Sequence, residues 1–206
     1  MSTVGLGAVS LMGVKDSQAY LPEFPAGQRL GRTFYTVEIK TKPDPESETV
    51  KTVYNDHILV LNREIIGKSY TAYWKKRIWY ETPEGFIPAI SVQPVRNEPN
   101  VPLTELPTYG ALPGMWAEVT VPYVDIYLDG TEPKSPRLKE TIDPRFYYSQ
   151  VLWIDGISSE ASSELLYHVT ERHGSYGDVF WADARAFRPV TPEDVAPISP
   201  EIENKY

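Results

Sequence analysis

The chain has 206 residues, of which 41% are hydrophobic and 12% aromatic, so it has enough apolar material for one large domain or two small ones. Its formal net charge of −8 argues against binding to nucleic acid or to an anionic membrane surface, because both need a basic face. The absence of cysteine excludes disulfide bonds, thiolate metal sites and a cysteine nucleophile, while 19 prolines and 13 glycines favour short strands and turns.

The first twenty residues fit no predicted element. Residues 2–14 form an uncharged run of small and apolar side chains that is too short to cross a bilayer. The run is typical of the hydrophobic part of a secretory signal without its basic start, and an unstructured N terminus explains it equally well. We therefore place residues 1–20 outside the fold, as a possible signal remnant, and predict no stable membrane span.

Residues 21–95 are predicted to form a first β-rich domain. Val37 and Ile39 alternate with polar residues, which is the period of a half-buried strand. The run at residues 57–67 is apolar, short and rich in leucine and β-branched side chains. We therefore predict one buried strand there.

The sequence predicts two hairpins of similar design. In the first, "TPEG" at residues 82–85 fits a type I turn, and Pro88 in the returning strand indicates a sheet edge or a short break. The second hairpin spans residues 166–190, with Gly174 and Gly177 at its turn. It ends in "FRPV", where the first hairpin ends in "VQPV".

Residues 96–113 carry four prolines and no hydrophobic period, which predicts an extended connector between two domains. A polyproline ligand for another protein is the alternative for this segment. Residues 114–190 form the second predicted domain, in which Val124 and Ile126 take the places of Val37 and Ile39. A repeat of this length predicts duplicated small barrels rather than a solenoid.

The tail, residues 191–206, contains two helix-start patterns. Thr191 and Ser199 can each cap a helix, and each is followed by proline and an acid. We predict short helical turns there.

Motifs for catalysis or metal binding are absent from the sequence. There is no G-x-S-x-G elbow, and a hydrolase whose serine, histidine and acid meet only in the fold stays an alternative. His57, His168 and His173 form no H-E-x-x-H motif. On one strand His168 and His173 would face opposite sides, whereas Glu171 and His173 could share a side. We therefore predict no metal and no cofactor.

A glycosidase would need two carboxylates in one cleft, and no spacing in this sequence marks such a pair. The acids that are candidates for it are Asp125, Glu171 and Asp178.

The stretch at residues 73–80 interleaves aromatic and basic side chains. Aromatic faces beside cationic groups can hold a sugar or a peptide that carries carboxylates. The alternative is an outer strand with half-buried tryptophans and lysine stems lying along it. The predicted ligand-binding residues are Trp74, Arg77, Trp79 and Tyr80, with Tyr167, Arg172 and Trp181 as their counterparts in the second hairpin.

Several segments together resemble the N-terminal region of secreted bacterial L,D-transpeptidases. "VEIKTKPDPESETVKTVY" is similar to the opening of a bacterial SH3-like domain. The wider resemblance covers about residues 21–205 and rests on "LPEFPAGQRLGR", "WYETPEGFI", "VQPVRNEPN", "GMWAEVTVPYVD", "YYSQVLWIDGI" and "FRPVTPEDVAPISPEIENK".

In that family two SH3-like modules precede a catalytic domain that cross-links peptidoglycan through a cysteine acyl-enzyme. This sequence has no cysteine, so the resemblance implies an ancillary, non-catalytic region rather than an enzyme. It also implies an extracytoplasmic location in a bacterial cell envelope, if the chain is exported, and a tail that leads toward an absent catalytic domain.

We therefore expect an all-β fold of two tandem SH3-like small barrels, joined by a proline-rich connector and followed by short helical turns. The expected partners are peptidoglycan or a transpeptidase catalytic domain. A purely structural spacer is the alternative function, and a hydrolase with an unrecognised site is the next.

Overall fold

The computed structural model describes residues 21–69, 77–109, 112–128, 132–141, 143–159, 164–170 and 178–195. Strands dominate these residues, which confirms the all-β prediction. Within the same ranges, no helix is both long enough and apolar enough to cross a bilayer.

The N-terminal half is built from antiparallel strands around a hydrophobic core. Its strands are β1 (Leu30–Thr33), β2 (Val37–Lys40), β3 (Thr49–Val53), β4 (Ile58–Val60), β5 (Arg63–Ile66), β6 (Ile78–Thr82), β7 (Gly85–Pro88) and β8 (Val92–Val95). They pair in the orders β4-β1-β8 and β3-β2-β7-β6-β5. The core contains Val37, Ile39, Val53, Leu59, Leu61, Tyr80, Ile87 and Val92.

The C-terminal half forms a larger antiparallel sheet with its own core. Its strands are β11 (Met115–Val119), β12 (Tyr123–Leu128), β13 (Arg145–Tyr147), β14 (Val151–Ser158), β15 (Leu166–Thr170), β16 (Val179–Asp183) and β17 (Phe187–Pro189), with the short helix α1 (Pro136–Lys139) between β12 and β13. They pair in the order β13-β12-β16-β15-β14-β11-β17. The apolar cluster includes Val124, Phe146, Ile154, Tyr167, Phe180 and Phe187.

The strand pairing of the first half recurs in the second. β11 pairs with β14 and β17, as β1 pairs with β4 and β8. β12 pairs with β13 and β16, as β2 pairs with β3 and β7. A 3₁₀ turn precedes the last strand in each half, at Ala89–Ser91 and at Ala184–Ala186. The predicted correspondence of β2 with β12 therefore holds at the level of strand pairing.

The apolar run at residues 57–67 is not the single buried strand that we predict from its composition. It is divided into β4 and β5, because β4 pairs with β1 whereas β5 pairs with β6. The break lies at Leu61, whose N–H donates to the Arg29 carbonyl, and at Asn62, whose N–H donates to Glu81. The side chain of Ile66 is 77% exposed, so the end of the run lies outside the core.

The first predicted hairpin is present. Thr82 pairs with Gly85 across the turn, and the Thr82 hydroxyl accepts a 3.2 Å hydrogen bond from the Glu84 N–H. Pro88 ends β7 and leads directly into the 3₁₀ turn, which is the short break that its position indicates. The turn of the second hairpin lies outside the described residues.

The connector follows the surface of the C-terminal half and is not extended throughout. Its end folds into a hairpin of β9 (Thr108–Tyr109) and β10 (Leu112–Pro113). Before that, the N–H groups of Glu98 and Asn100 donate to the carbonyls of Thr120 and Arg185, respectively. The connector therefore takes part in the packing of the C-terminal half.

The tail begins with a short turn at Thr191, where the sequence predicts one. The N–H of Asp194 donates to the Thr191 carbonyl, and the Asp194 carboxylate accepts from the N–H and hydroxyl of Thr191. The predicted turn at Ser199 lies outside the described residues.

Candidate functional site

The outer face of the C-terminal sheet carries a row of aromatic side chains. Tyr127 lies opposite Trp181, Trp181 lies opposite His168, and Trp116 lies opposite Trp153 on the neighbouring strands. Residues that face each other across antiparallel strands point to the same side of a sheet. We name as the outer band Trp116, Tyr127, Trp153, His168 and Trp181.

Alternation along the strands separates the outer band from the core. Met115 and Ala117 are buried on either side of Trp116, and Val169 is buried next to His168. The Trp116 side chain is 45% exposed, whereas the other members of the band are partly buried. The sheet therefore presents aromatic faces from a backbone that is held by hydrogen bonds on both sides.

Two ring contacts order the band. The indoles of Trp116 and Trp153 meet edge to face, with centroids 5.4 Å apart. The imidazole of His168 lies 4.7 Å from the indole of Trp181. Gly114 permits the first contact, because a Cβ at this residue would lie 2.3 Å from the Trp153 ring.

A carboxylate joins the band at a β-bulge. The pairing of β14 with β15 shifts between Ile154 and Gly156, and this shift brings Asp155 Oδ1 to 2.5 Å from His168 Nδ1. A Cβ on Gly156 would lie 2.9 Å from the His168 Cβ, so the close approach requires glycine. When Nδ1 donates to a carboxylate, a neutral imidazole keeps its acceptor lone pair on Nε2. The contact therefore fixes both the ring orientation and the tautomer.

Asp155 and His168 also form the acid and histidine pair of the Ser-His-Asp triad that a serine hydrolase uses. The hydrolase alternative further requires a nucleophile beside the imidazole and stays a prediction.

The predicted ligand-binding residues that the structure describes lie in different surroundings. Trp181 lies in the outer band, and Arg77 is exposed with its Nε donating to the Gly67 carbonyl at 3.0 Å. Tyr80 is 6% exposed and belongs to the N-terminal core. Trp74 and Arg172 lie outside the described residues. Ligand binding by this set stays a prediction.

Trp79 is fully buried, contrary to the exposed or half-buried indole that the sequence suggests. It lies on the opposite side of the sheet from Tyr80, where Gly67 is close both to the Trp79 ring and to Pro43 of the loop after β2. Its Nε1 donates to the Lys68 carbonyl at 2.9 Å, and the Lys68 N–H donates to the Pro43 carbonyl. These contacts leave the faces of the Trp79 ring inside the protein.

Tyr167 is buried on the core side of β15. Its hydroxyl accepts a 2.7 Å hydrogen bond from the Leu103 N–H and donates to the Leu103 carbonyl. Burial raises the pKa of Tyr167. This residue therefore fastens the connector to the C-terminal half.

The other chemical candidates have structural partners. Asp178 is buried, and its two oxygens accept from the N–H groups of Lys134 and Ser135. Asp125 accepts from Arg145 at 2.7 Å. Among the described residues, no three histidine or acidic side chains are grouped so that they could hold a metal ion. Glu171 and His173 lie outside those residues.

A cleft of about 590 Å³ lies where residues 27–29 and 94–98 meet Tyr148. Its two cations are already paired: Arg29 contacts Glu64 at 2.6 Å and Arg96 contacts Glu98 at 3.4 Å. Both arginines of the cleft are therefore already paired with a carboxylate, and they offer little free positive charge to a ligand.

Of the outer band, only Trp181 is among the ligand-binding residues that we predict from the sequence. Period-two alternation was the available signal, because "MWAEV" and "VLWIDG" place Trp116 and Trp153 between apolar residues. The Asp155 contact itself depends on a register shift that alternation does not reveal.

No protein-family model matches this chain, and no curated protein matches it.

Proposed function

We propose that the chain is a non-catalytic cell-envelope module of two SH3-like units, and that its outer band binds the glycan strands of peptidoglycan. The resemblance to the N-terminal region of L,D-transpeptidases motivates the cell-wall ligand. The outer band is the observation that carries the binding role, because it places several aromatic faces on one rigid sheet surface.

Support for the SH3-like part of the proposal comes from the pairing pattern. In each half the first strand lies between two partners, as β1 and β11 do. The next two strands form a hairpin, β2-β3 or β12-β13, of which only β2 or β12 pairs with a further strand. A 3₁₀ turn precedes the final strand of each half. This recurrence of one pairing pattern in both halves supports our proposal that each half is an SH3-like unit.

The chemistry of the band favours sugars over charged ligands. Tryptophan and tyrosine rings stack on the apolar faces of sugar rings, and their N–H and O–H groups can hydrogen-bond to hydroxyls. Arg188, which lies beside the band on β17, is neutralised by Glu118 at 2.8 Å and Asp194 at 3.0 Å. Stem-peptide carboxylates would therefore find little free positive charge there.

The dimensions favour a polymer. β11 and β16 are separated by β14 and β15, so Trp116 and Trp181 are three strand spacings apart. Three spacings correspond to about 14 Å. A ligand that contacts both residues would span more than one sugar ring.

The test is co-sedimentation of the purified protein with peptidoglycan sacculi. We expect the double variant Trp116→Ala/Trp181→Ala to bind at least about tenfold more weakly, because it removes stacking surface at both ends of the band. Tyr54→Ala is the matched control, since Tyr54 is a 68% exposed aromatic residue of the N-terminal half. Equal retention of wild type and double variant would contradict the proposed site.

A structural spacer is the second candidate, and the contacts between the two halves favour it. Asp56 in the N-terminal half accepts from Arg145 and from Tyr147 in the C-terminal half, each at 3.2 Å. A fixed arrangement of the halves would suit a role in positioning a transpeptidase catalytic domain. The same sedimentation experiment separates the two functions, because a spacer would not be retained by sacculi at all.

A further inference from the structure

A cavity opens into the core of the C-terminal half, between α1 and the inner face of the sheet. Its volume is about 370 Å³. Ile126, Val169 and Phe180 form its apolar floor, and Leu138 of α1 forms one wall. The cavity therefore has access to the hydrophobic core.

The cavity is separate from the outer band. Val169 lines the cavity, whereas its neighbour His168 belongs to the band. Successive residues of a strand point to opposite faces of the sheet. A ligand in the cavity would therefore leave the band uncovered.

Two arginines stand at the cavity, and they differ in their partners. Arg145 is held by Asp125 at 2.7 Å and by Asp56 at 3.2 Å, so its charge is already compensated. Arg137 is exposed on α1. Across the described part of the chain, its guanidinium has no ion pair. Arg137 therefore supplies a cationic group at the rim that a ligand can neutralise.

We propose that this cavity binds a small amphipathic carboxylate, with its apolar part against Val169 and Phe180 and its carboxylate against Arg137. An arginine fork matches the geometry of a carboxylate. Pockets of a few hundred Å³ with apolar walls and a few polar groups are the usual form of small-molecule sites. At about 30 Å³ for each water-sized volume, the cavity holds about twelve such volumes, which suits one ring with a short acidic chain.

The test uses 4-phenylbutyrate as the probe and 4-phenylbutanol as its uncharged match. Each is titrated into the full chain, and binding is followed by amide chemical shifts in ¹⁵N-labelled protein. We expect phenylbutyrate to shift amides of β15, β16 and α1 and to bind more tightly than phenylbutanol.

Two variants assign the contacts. Arg137→Gln should weaken phenylbutyrate binding about tenfold and leave phenylbutanol binding unchanged, while Lys139→Gln on the same helix should change neither. Leu138→Trp should fill the cavity and reduce binding of both probes. Arg137 and Lys139 are exposed, so these variants test the proposal even if Leu138→Trp does not fold.

Three results would overturn the proposal: no binding of phenylbutyrate to the wild type at millimolar concentration, equal effects of Arg137→Gln and Lys139→Gln, or shifts confined to another surface. None of them would affect binding to sacculi, which depends on the outer band.

Discussion

At the scale of single residues, burial and two charged neighbours shift the pKa of His57 in known directions. Partial burial lowers the pKa of His57 below its ordinary value of about 6.5, and the positive charge of Lys51 lowers it further, whereas Glu84 raises it. Lys51 and Glu84 are themselves paired at 2.7 Å, so removing either one changes the field at the imidazole in a known direction.

We predict that Lys51→Met raises the pKa of His57 and that Glu84→Gln lowers it, as measured by NMR titration of the imidazole protons. Because the pKa in the folded state is depressed, the unfolded state binds the proton more readily. This contribution to stability is complete above about pH 6.5 and is lost as the pH falls through the folded-state pKa. Shifts of the same sign in both variants would contradict the charge argument.

At the scale of secondary structure, the bulge in β14 decides whether Asp155 reaches His168. We predict that Gly156→Ala lowers the free energy of unfolding by about 1–3 kcal/mol, because the new Cβ would lie 2.9 Å from the His168 Cβ in a packed sheet. Urea denaturation measures this change, and the His168 imidazole signals report the separation of the pair.

Val151→Thr is the control for that substitution, since Val151 lies on the same strand and is 52% exposed. It should change the free energy of unfolding by no more than about 0.5 kcal/mol. If Gly156→Ala is equally mild and leaves the His168 signals in place, the bulge does not depend on glycine.

The elements also show what local sequence can and cannot predict. Alternation at Val37 and Ile39, and the proline at the end of β7, act within a few residues and were readable from the sequence. The burial of Trp79 involves the loop after β2, because the indole donates to the Lys68 carbonyl while the Lys68 N–H donates to Pro43, which is 36 residues from Trp79 in sequence. Such a contact arises only when the chain folds, and no window around Trp79 contains it.

The same reasoning applies to the candidate site. Trp181 is recognisable as an aromatic residue in a predicted hairpin, but its neighbours come from strands that are distant in sequence. Tyr127 reaches it from β12, and Asp155 reaches His168 from β14 through a register shift. The types of residue in the band were predictable, whereas their adjacency required the order of strands in the sheet.

At the scale of the whole molecule, the two halves meet at a charged cluster. Asp56 is the shared acceptor of Arg32 and Arg145, and its side chain is 9% exposed. The guanidinium of Arg32 also lies 4.1 Å from the ring centroid of Tyr147. Burial, together with the Asp56 carboxylate, raises the pKa of Tyr147. Asp56 therefore joins groups from both halves.

Apolar contacts join the halves as well. Leu21 precedes β1 in sequence but is buried in the core of the C-terminal half. The ring of Phe24 meets the ring of Tyr123 edge to face at 5.2 Å, and the Phe24 carbonyl accepts from the Asn97 side chain. The lead-in segment therefore stabilises the half that is more distant in sequence.

These contacts predict that the charge of Asp56 matters for the stability of the whole chain. Asp56→Asn should lower the free energy of unfolding by about 2–4 kcal/mol, because two largely buried guanidinium groups lose their common counter-ion. Asparagine tolerates the left-handed backbone at this residue, where φ is 59°, so the substitution tests charge rather than backbone strain.

Asp125→Asn is the control: Asp125 also binds Arg145, but its side chain is 40% exposed, and its loss should cost less than about 1 kcal/mol. Urea denaturation of both variants, combined with Arg145→Met in a double-mutant cycle, should give a larger coupling for Asp56 than for Asp125. Equal costs for the two aspartates would mean that the cluster does not hold the halves together, and the apolar contacts of Leu21 and Phe24 would then carry that role.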